Sequence, residues 1–248
     1  MQHINIQVII LRKLIFIFIP VLLCFSLFVC SCFFSNIPYI YTDTGVKADL
    51  PVIIIDAGHG GIDGGATTDD GTPEKDINLS ISLYLDEYLK LMGFKTILTR
   101  TKDISLGESE STIRKQKTAD IMNRFYIMEN TDNALFISIH QNHFSQKQYS
   151  GLQVFYSEAY YDESSSLAQC IQDSAVNQLQ KDNKRLIKEC PSSVYLIHNA
   201  VKPSVLVECG FLSNEEEANK LKTDEYRKQI SFCIAMGIQD YISTRIEK

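Results

Sequence analysis

The sequence predicts an α/β fold in which one sheet is covered by helices on both faces, and three observations predict it. Short runs of branched apolar residues recur along the chain, as in Val52–Ile55, Leu135–Ile139 and Val205–Val207. Between them lie longer stretches with apolar residues at helical spacing, such as Ile77, Ile81, Leu85, Tyr88 and Met92. Strand-sized runs separated by helix-sized stretches build a sheet between helical layers. Third, several apolar runs end on a chemically reactive residue: His59, His140 and Glu208. In open α/β sheets the ligand crevice lies beyond the carboxyl ends of the strands.

The elements follow in order. Val52–Ile55 reads as a buried strand that opens into a glycine loop. Lys75–Met92 reads as an amphipathic helix stopped by Gly93, and Lys95–Thr99 as a second strand. Thr112–Glu129 is a polar helix, Leu135–Ile139 a third strand, and Leu152–Tyr156 alternates as a strand does. Ser164–Gln180 carries the apolar stripe Leu167, Ile171, Ala175, Val176 and Leu179. Val194–Ile197 and Val205–Val207 read as further strands. Asn214 is placed to cap a short helix whose first turn holds Glu215, Glu216 and Glu217, and Asp224–Ile246 closes the chain as a last helix.

The first 37 residues stand apart. Leu14–Phe34 is 21 residues long without a charge, and Arg12 and Lys13 precede it. That length and that basic flank predict an uncleaved signal anchor with its N-terminus in the cytoplasm. A cleaved signal peptide is the second reading, and a lipoprotein box at Val29-Cys-Ser-Cys32 the third. All three place the remainder outside the cytoplasmic membrane, anchored or secreted. Residues 38–50 read as a linker and 51–246 as one domain. Without residues 1–37 the net charge is near −8. An acidic domain without a Lys/Arg cluster excludes nucleic acid as the expected partner. Cys170, Cys190, Cys209 and Cys233 are dispersed and form no C-x-x-C pair, so a cysteine-held zinc is not expected.

The chemistry lies elsewhere. Two imidazoles and a carboxylate make a catalytic zinc shell, and a further carboxylate supplies the base for metal-assisted hydrolysis. His59, Glu74, His140 and Glu208 meet that requirement. An acid at the end of Val205-Leu-Val207 needs a partner to offset desolvation, and a cation is one. A single histidine after a strand is more often structural than functional, so the case rests on the four together. The loop Gly58-His-Gly-Gly-Ile-Asp-Gly64 lacks the spacing of a dinucleotide fingerprint, and no Walker lysine follows it. Asn142 and Arg124 are candidate substrate contacts; for Arg124 a loop or helix tether and an ordinary surface arginine are the alternatives. His143 is either a substrate contact or merely exposed, His198 is read as structural, and Asp63 and Asp76 as caps of local backbone.

Five strings carry a family resemblance: Ile55-Asp-Ala-Gly-His-Gly-Gly-Ile-Asp-Gly-Gly-Ala66, Glu74-Lys-Asp-Ile-Asn-Leu79, Leu98-Thr-Arg100, Phe136-Ile-Ser-Ile-His-Gln-Asn142 and Pro203-Ser-Val-Leu-Val-Glu-Cys-Gly-Phe-Leu-Ser-Asn214. Together they resemble the zinc-dependent N-acetylmuramoyl-L-alanine amidases of the Amidase_3 family, in the expected order from about Pro51 to Tyr241. The departures are Ala57, where a proline is common, and Gln141 and His143 beside Asn142. The resemblance implies a mixed sheet of about six strands, a Zn2+ held by His59, Glu74 and His140, and Glu208 as the catalytic glutamate. It implies peptidoglycan as the substrate and hydrolysis of the amide between the lactyl group of muramic acid and L-alanine. The compact form with an N-terminal anchor, together with Thr112-Ile-Arg-Lys-Gln-Lys-Thr-Ala-Asp-Ile-Met-Asn-Arg124, resembles the sporulation and germination-specific branch, which acts on spore cortex before muramic lactam forms. The sequence leaves room for an activating or targeting protein partner. The rival readings are another zinc-dependent cell-wall peptidase or deacetylase, and a non-catalytic wall-binding or assembly protein.

Overall fold

The computed structural model describes residues 50–107 and 110–246. The expected anchor, and all but the end of the linker, therefore lie outside the described residues. Among the described residues no helix is long and apolar enough to cross a membrane.

The chain runs β1 (Val52–Ala57), α1 (Glu74–Leu91), β2 (Thr96–Leu98), α2 (Ile113–Glu129), β3 (Ala134–Asn142), β4 (Gln153–Tyr156), α3 (Tyr161–Gln178), β5 (Lys188–Glu189), α4 (Tyr195–His198), β6 (Ser204–Phe211), α5 (Glu215–Leu221) and α6 (Asp224–Ile246). The six strands form one sheet in the order β2-β1-β3-β6-β4-β5. β2, β1, β3 and β6 are mutually parallel, while β4 runs antiparallel to β6 and carries β5 parallel to itself. It is the mixed sheet the resemblance implies.

Alternation of side chains along each strand divides the core in two. Ile53 and Ile55 join Ile137, Val205 and Val207 against Ile81 of α1, Ile171 of α3 and Ile234 of α6. Ile54, Phe136 and Leu206 point the other way, onto Met128 of α2 and Ile197 of α4. Every one of these side chains is at most 6% exposed, so the strands are apolar on both faces, as a covered sheet requires.

The helix starts are chemically marked. Thr112 caps α2 by accepting from Lys115 N at 3.4 Å. Asn214 caps α5 by accepting from Glu217 N at 3.0 Å, as its position predicts. One element differs from expectation. Val194–Ile197 is not a strand: Val194 precedes the single helical turn of α4, whose His198 N–H donates to Val194 O at 3.0 Å. A four-residue apolar run fits either a buried strand or a buried turn of helix, and local periodicity cannot separate them. The edge place in the sheet goes instead to Lys188–Glu189, a charged pair with no strand signature.

Candidate metal and catalytic site

Three parallel strands deliver their reactive residues to one edge. β1 leads into the loop that carries His59, β3 runs through His140, and β6 places Glu208 beside His140 as its register partner. Glu74 is the first residue of α1, which packs over β1 and β3. Its carboxylate bridges the two imidazoles, with Oε2 3.3 Å from His59 Nε2 and Oε1 3.1 Å from His140 Nδ1. One donor atom from each of His59, Glu74 and His140 lies within 4.8 Å of the others. Two nitrogen donors and one carboxylate oxygen are the donor set of a catalytic zinc shell, so these residues fit that ion.

Each donor is itself held. His59 sits at φ 61°, the left-handed region that side chains rarely adopt. Asp63 Oδ2 lies 3.0 Å from its Nδ1 and Arg124 Nη2 donates to its carbonyl at 2.7 Å. Asp63, expected only to cap local backbone, thus orients the His59 ring as a carboxylate orients the imidazoles that bind metals. Glu74 accepts from Ala66 N, Gln141 N and Asn78 Nδ2 at 2.9, 3.0 and 3.2 Å. The imidazole of His140 lies so close over Gly58 that a Cβ there would meet its Nε2 at 2.2 Å.

Behind the loop two arginines grip its backbone. Arg100 donates to Ala57 O, Gly58 O and Lys75 O at 2.9, 3.0 and 2.8 Å. Arg124 pairs with the buried Asp56 and with Asp120, and donates to Ala57 O at 2.8 Å as well as to His59 O. Each of its three guanidinium nitrogens is engaged by the protein, and Arg124 is 2% exposed. This is the tether, not a free cation awaiting substrate. Asn142 ends β3 half-buried at the same edge, and its Oδ1 accepts from His143 N at 2.9 Å. Sequence reasoning missed Asn78 and Gln141 as supports of Glu74. Asn78 had a signal, being one helical turn after Glu74 on an apolar face; Gln141 acts on Glu74 through its backbone N–H and had none.

The electrostatics separate the two glutamates. Burial pushes the Glu74 carboxyl up, but its hydrogen bonds to His140 and His59 outweigh it and hold the group well below the usual range. Burial likewise pulls the His59 imidazole down, yet Asp63 and Glu74 raise it to about 9. Glu208 has no such compensation. Burial and the nearby Glu74 push it up to about 7 against the pull of His140 and His59. Its Oε2 is buried and has no hydrogen-bond partner among the described residues. Such an orphaned oxygen beside three convergent donors is what a proton-transferring carboxylate needs. A cavity of about 310 Å³ opens beside His59 and His140, with Ile62, Ile121 and Leu206 on its apolar side. Cys170, Cys190, Cys209 and Cys233 are all unpaired.

Known proteins share this arrangement of chain. Residues 53–240 match the N-acetylmuramoyl-L-alanine amidase family, Amidase_3. The germination-specific N-acetylmuramoyl-L-alanine amidase of Bacillus subtilis is 33% identical over 195 residues, spanning 78% of this chain and 81% of that one. Among solved structures, the CwlD amidase of Clostridioides difficile in complex with the GerS lipoprotein is 43% identical, with a TM-score of 0.75 over 78% of this chain and 99% of that one. The AmiC2 amidase of Nostoc punctiforme is 28% identical, with a TM-score of 0.65 over 78% and 97%. On this match and this fold, the chain is an enzyme of the N-acetylmuramoyl-L-alanine amidase family.

Proposed function

We propose that His59, Glu74 and His140 hold a zinc ion, and that Glu208 is the catalytic base and acid in hydrolysis of the amide joining the lactyl group of muramic acid to L-alanine in peptidoglycan. The observation that carries this reading is the convergence of three donor atoms within 4.8 Å beside the orphaned Glu208 Oε2. Bound there, zinc supplies Lewis acidity toward water and toward the substrate carbonyl. Glu208 takes the proton of the attacking water and returns it to the leaving nitrogen of L-alanine. Glu74 stays ionised because the two histidines and three N–H donors stabilise its charge. Asp63 holds the His59 ring and Arg124 its carbonyl, so the donor needs no rearrangement to bind.

The biological setting we propose is the spore cortex, where removal of the stem peptide precedes muramic lactam formation. The germination-specific amidase of Bacillus subtilis and the CwlD amidase of Clostridioides difficile support this setting. The complex of the latter with a lipoprotein supports a protein partner for this chain too, on the extracytoplasmic side of a membrane to which residues 1–37 anchor or export it.

The test is mass spectrometry of muropeptides after peptidoglycan is incubated with the zinc-loaded full-length chain. New N-terminal L-alanine and peptide-free muramic acid are the expected products. Cleavage inside the stem peptide, or loss of acetyl groups, would replace the amide with the bond of a peptidase or a deacetylase. Spores of a strain lacking the chain are expected to contain no muramic lactam, and normal lactam content would remove the cortex setting.

A further inference from the structure

The sheet edge that carries the metal cluster continues past it. β4 and β5 run opposite to β6, so their N-terminal ends share the edge with His59, His140 and Glu208. Gln153, first residue of β4, is the register partner of Glu208. Arg185 lies three residues before β5 and reaches back toward that point. Its Nη1 donates to Gln153 Oε1 at 2.9 Å and its Nε to Ser150 O at 2.7 Å.

The guanidinium also rests on aromatic rings. Its central carbon lies 4.4 Å from the ring centre of Phe211 and 5.8 Å from that of Tyr149. Phe211 is fully buried, and the adjoining backbone is pinned by Glu217, which accepts from Gly151 N and Phe211 N at 2.9 and 2.7 Å. The platform is therefore rigid. Among the described residues Arg185 forms no ion pair and its Nη2 has no acceptor; the buried Glu217 supports its charge from a longer distance, both carboxylate oxygens already accepting from Gly151 N and Phe211 N. A half-buried arginine whose direct partners are neutral keeps a free N–H donor and its charge for a ligand. It borders a polar groove of about 590 Å³, lined by Lys181 and Lys184, which form no ion pair among the described residues, and by Asp182, Glu216 and Glu217.

The spacing fits a peptide. The guanidinium lies over Phe211 of β6 and against Gln153 of β4, so it sits about one strand spacing, about 4.8 Å, beyond β6. An extended peptide covers about 3.3–3.6 Å per residue, so one to two residues span that gap. We propose that Arg185 forms a subsite for a free carboxylate borne one to two residues beyond the scissile amide, on the peptide leaving group. An arginine fork recognises a carboxylate with directional, charge-assisted hydrogen bonds, and a carboxamide cannot replace that charge. The subsite would make the enzyme selective for acidic over amidated stem peptides. This inference rests on the amidase reading above for the direction in which the peptide lies.

Two readouts test it. The full-length, zinc-loaded chain carrying Glu208→Gln is titrated calorimetrically with an N-acetylmuramoyl tripeptide whose carboxylates are free, and with the same compound fully amidated. The acid is expected to bind about tenfold to hundredfold more tightly, as a hydrogen-bonded charge pair contributes. Adding Arg185→Gln is expected to bring the ratio close to one, and Arg185→Lys to leave an intermediate preference that fades with added salt. A purely structural role would weaken both ligands equally and leave the ratio unchanged, which would overturn the proposal. So would equal binding of acid and amide when Arg185 is intact. Cleavage by the chain with Glu208 intact is followed separately: selective binding without cleavage of the muramoyl–alanine bond would end the amidase reading and leave the subsite standing.

Discussion

His59 combines a left-handed backbone with an imidazole that faces the Glu74 carboxylate, and the conformation costs about 1–3 kcal/mol that its neighbours must offset. Asp63, Glu74 and Arg124 do so at the ring and at the carbonyl. Two predictions belong at this scale. Glu208→Gln is expected to retain full zinc content, measured by elemental analysis after dialysis, while turnover falls about 10²–10⁴-fold as general acid–base help is lost. Near-normal turnover would remove that role. Gly58→Ala is expected to lower zinc occupancy, because the added methyl would occupy the place of the His140 ring; an unchanged stoichiometry would show that the ring shifts without losing the ion. His59, His140 and Glu208 were legible in the sequence because each ends an apolar run, where a sheet edge presents side chains. Asp63, Asn78 and Gln141 were not, because they act on the ligands through contacts that no strand end announces.

Between elements, the joint that matters ties α2 to the loop after β1. Asp56 is buried with Arg124, Ser138 and Thr99 around it. Burial pushes its carboxyl up, but Arg124 first, then Ser138, His140 and Thr99, bring it below the usual carboxylate range. The sign follows directly. A depressed folded value means that Asp56 contributes stability above its unfolded value of about 4, and that this contribution is lost as pH falls through the lower folded value. Asp56→Asn leaves Arg124 buried without its main counter-charge. It is expected to cost about 3–5 kcal/mol at neutral pH and to make the loss of stability below pH 4 shallower, both measured by urea unfolding across pH. Unchanged stability at pH 7 would show that Asp120 suffices for Arg124. Most elements were readable because their periodicity extends over many residues. α4 was not, since four apolar residues carry no period, and β5 was not, since Lys188–Glu189 is defined only by its partner Phe155–Tyr156.

Across the whole molecule, the ligand set joins a loop, a helix and a strand that are distant in sequence. Zinc binding to the folded chain alone therefore adds to its stability by mass action. Saturating zinc at about a hundred times its dissociation constant corresponds to about 2.7 kcal/mol, or roughly 5–10 °C in the unfolding midpoint for a domain of this size. Scanning calorimetry with and without a chelator measures it, and an unchanged midpoint would mean that the three residues hold no ion under those conditions. The layered sheet was legible from the alternation of strand-sized and helix-sized runs; the reversal of β4 was not, because strand direction depends on how a connection folds back, and no residue in Leu152–Tyr156 encodes it. The two ends of that sheet carry a last consequence. β2 is three residues long, and β5 is two residues, both charged and exposed. Neither rim offers a long, uncharged ladder of backbone groups to a neighbouring chain. Two copies of the domain thus lack a strand edge by which one sheet could be extended into the other.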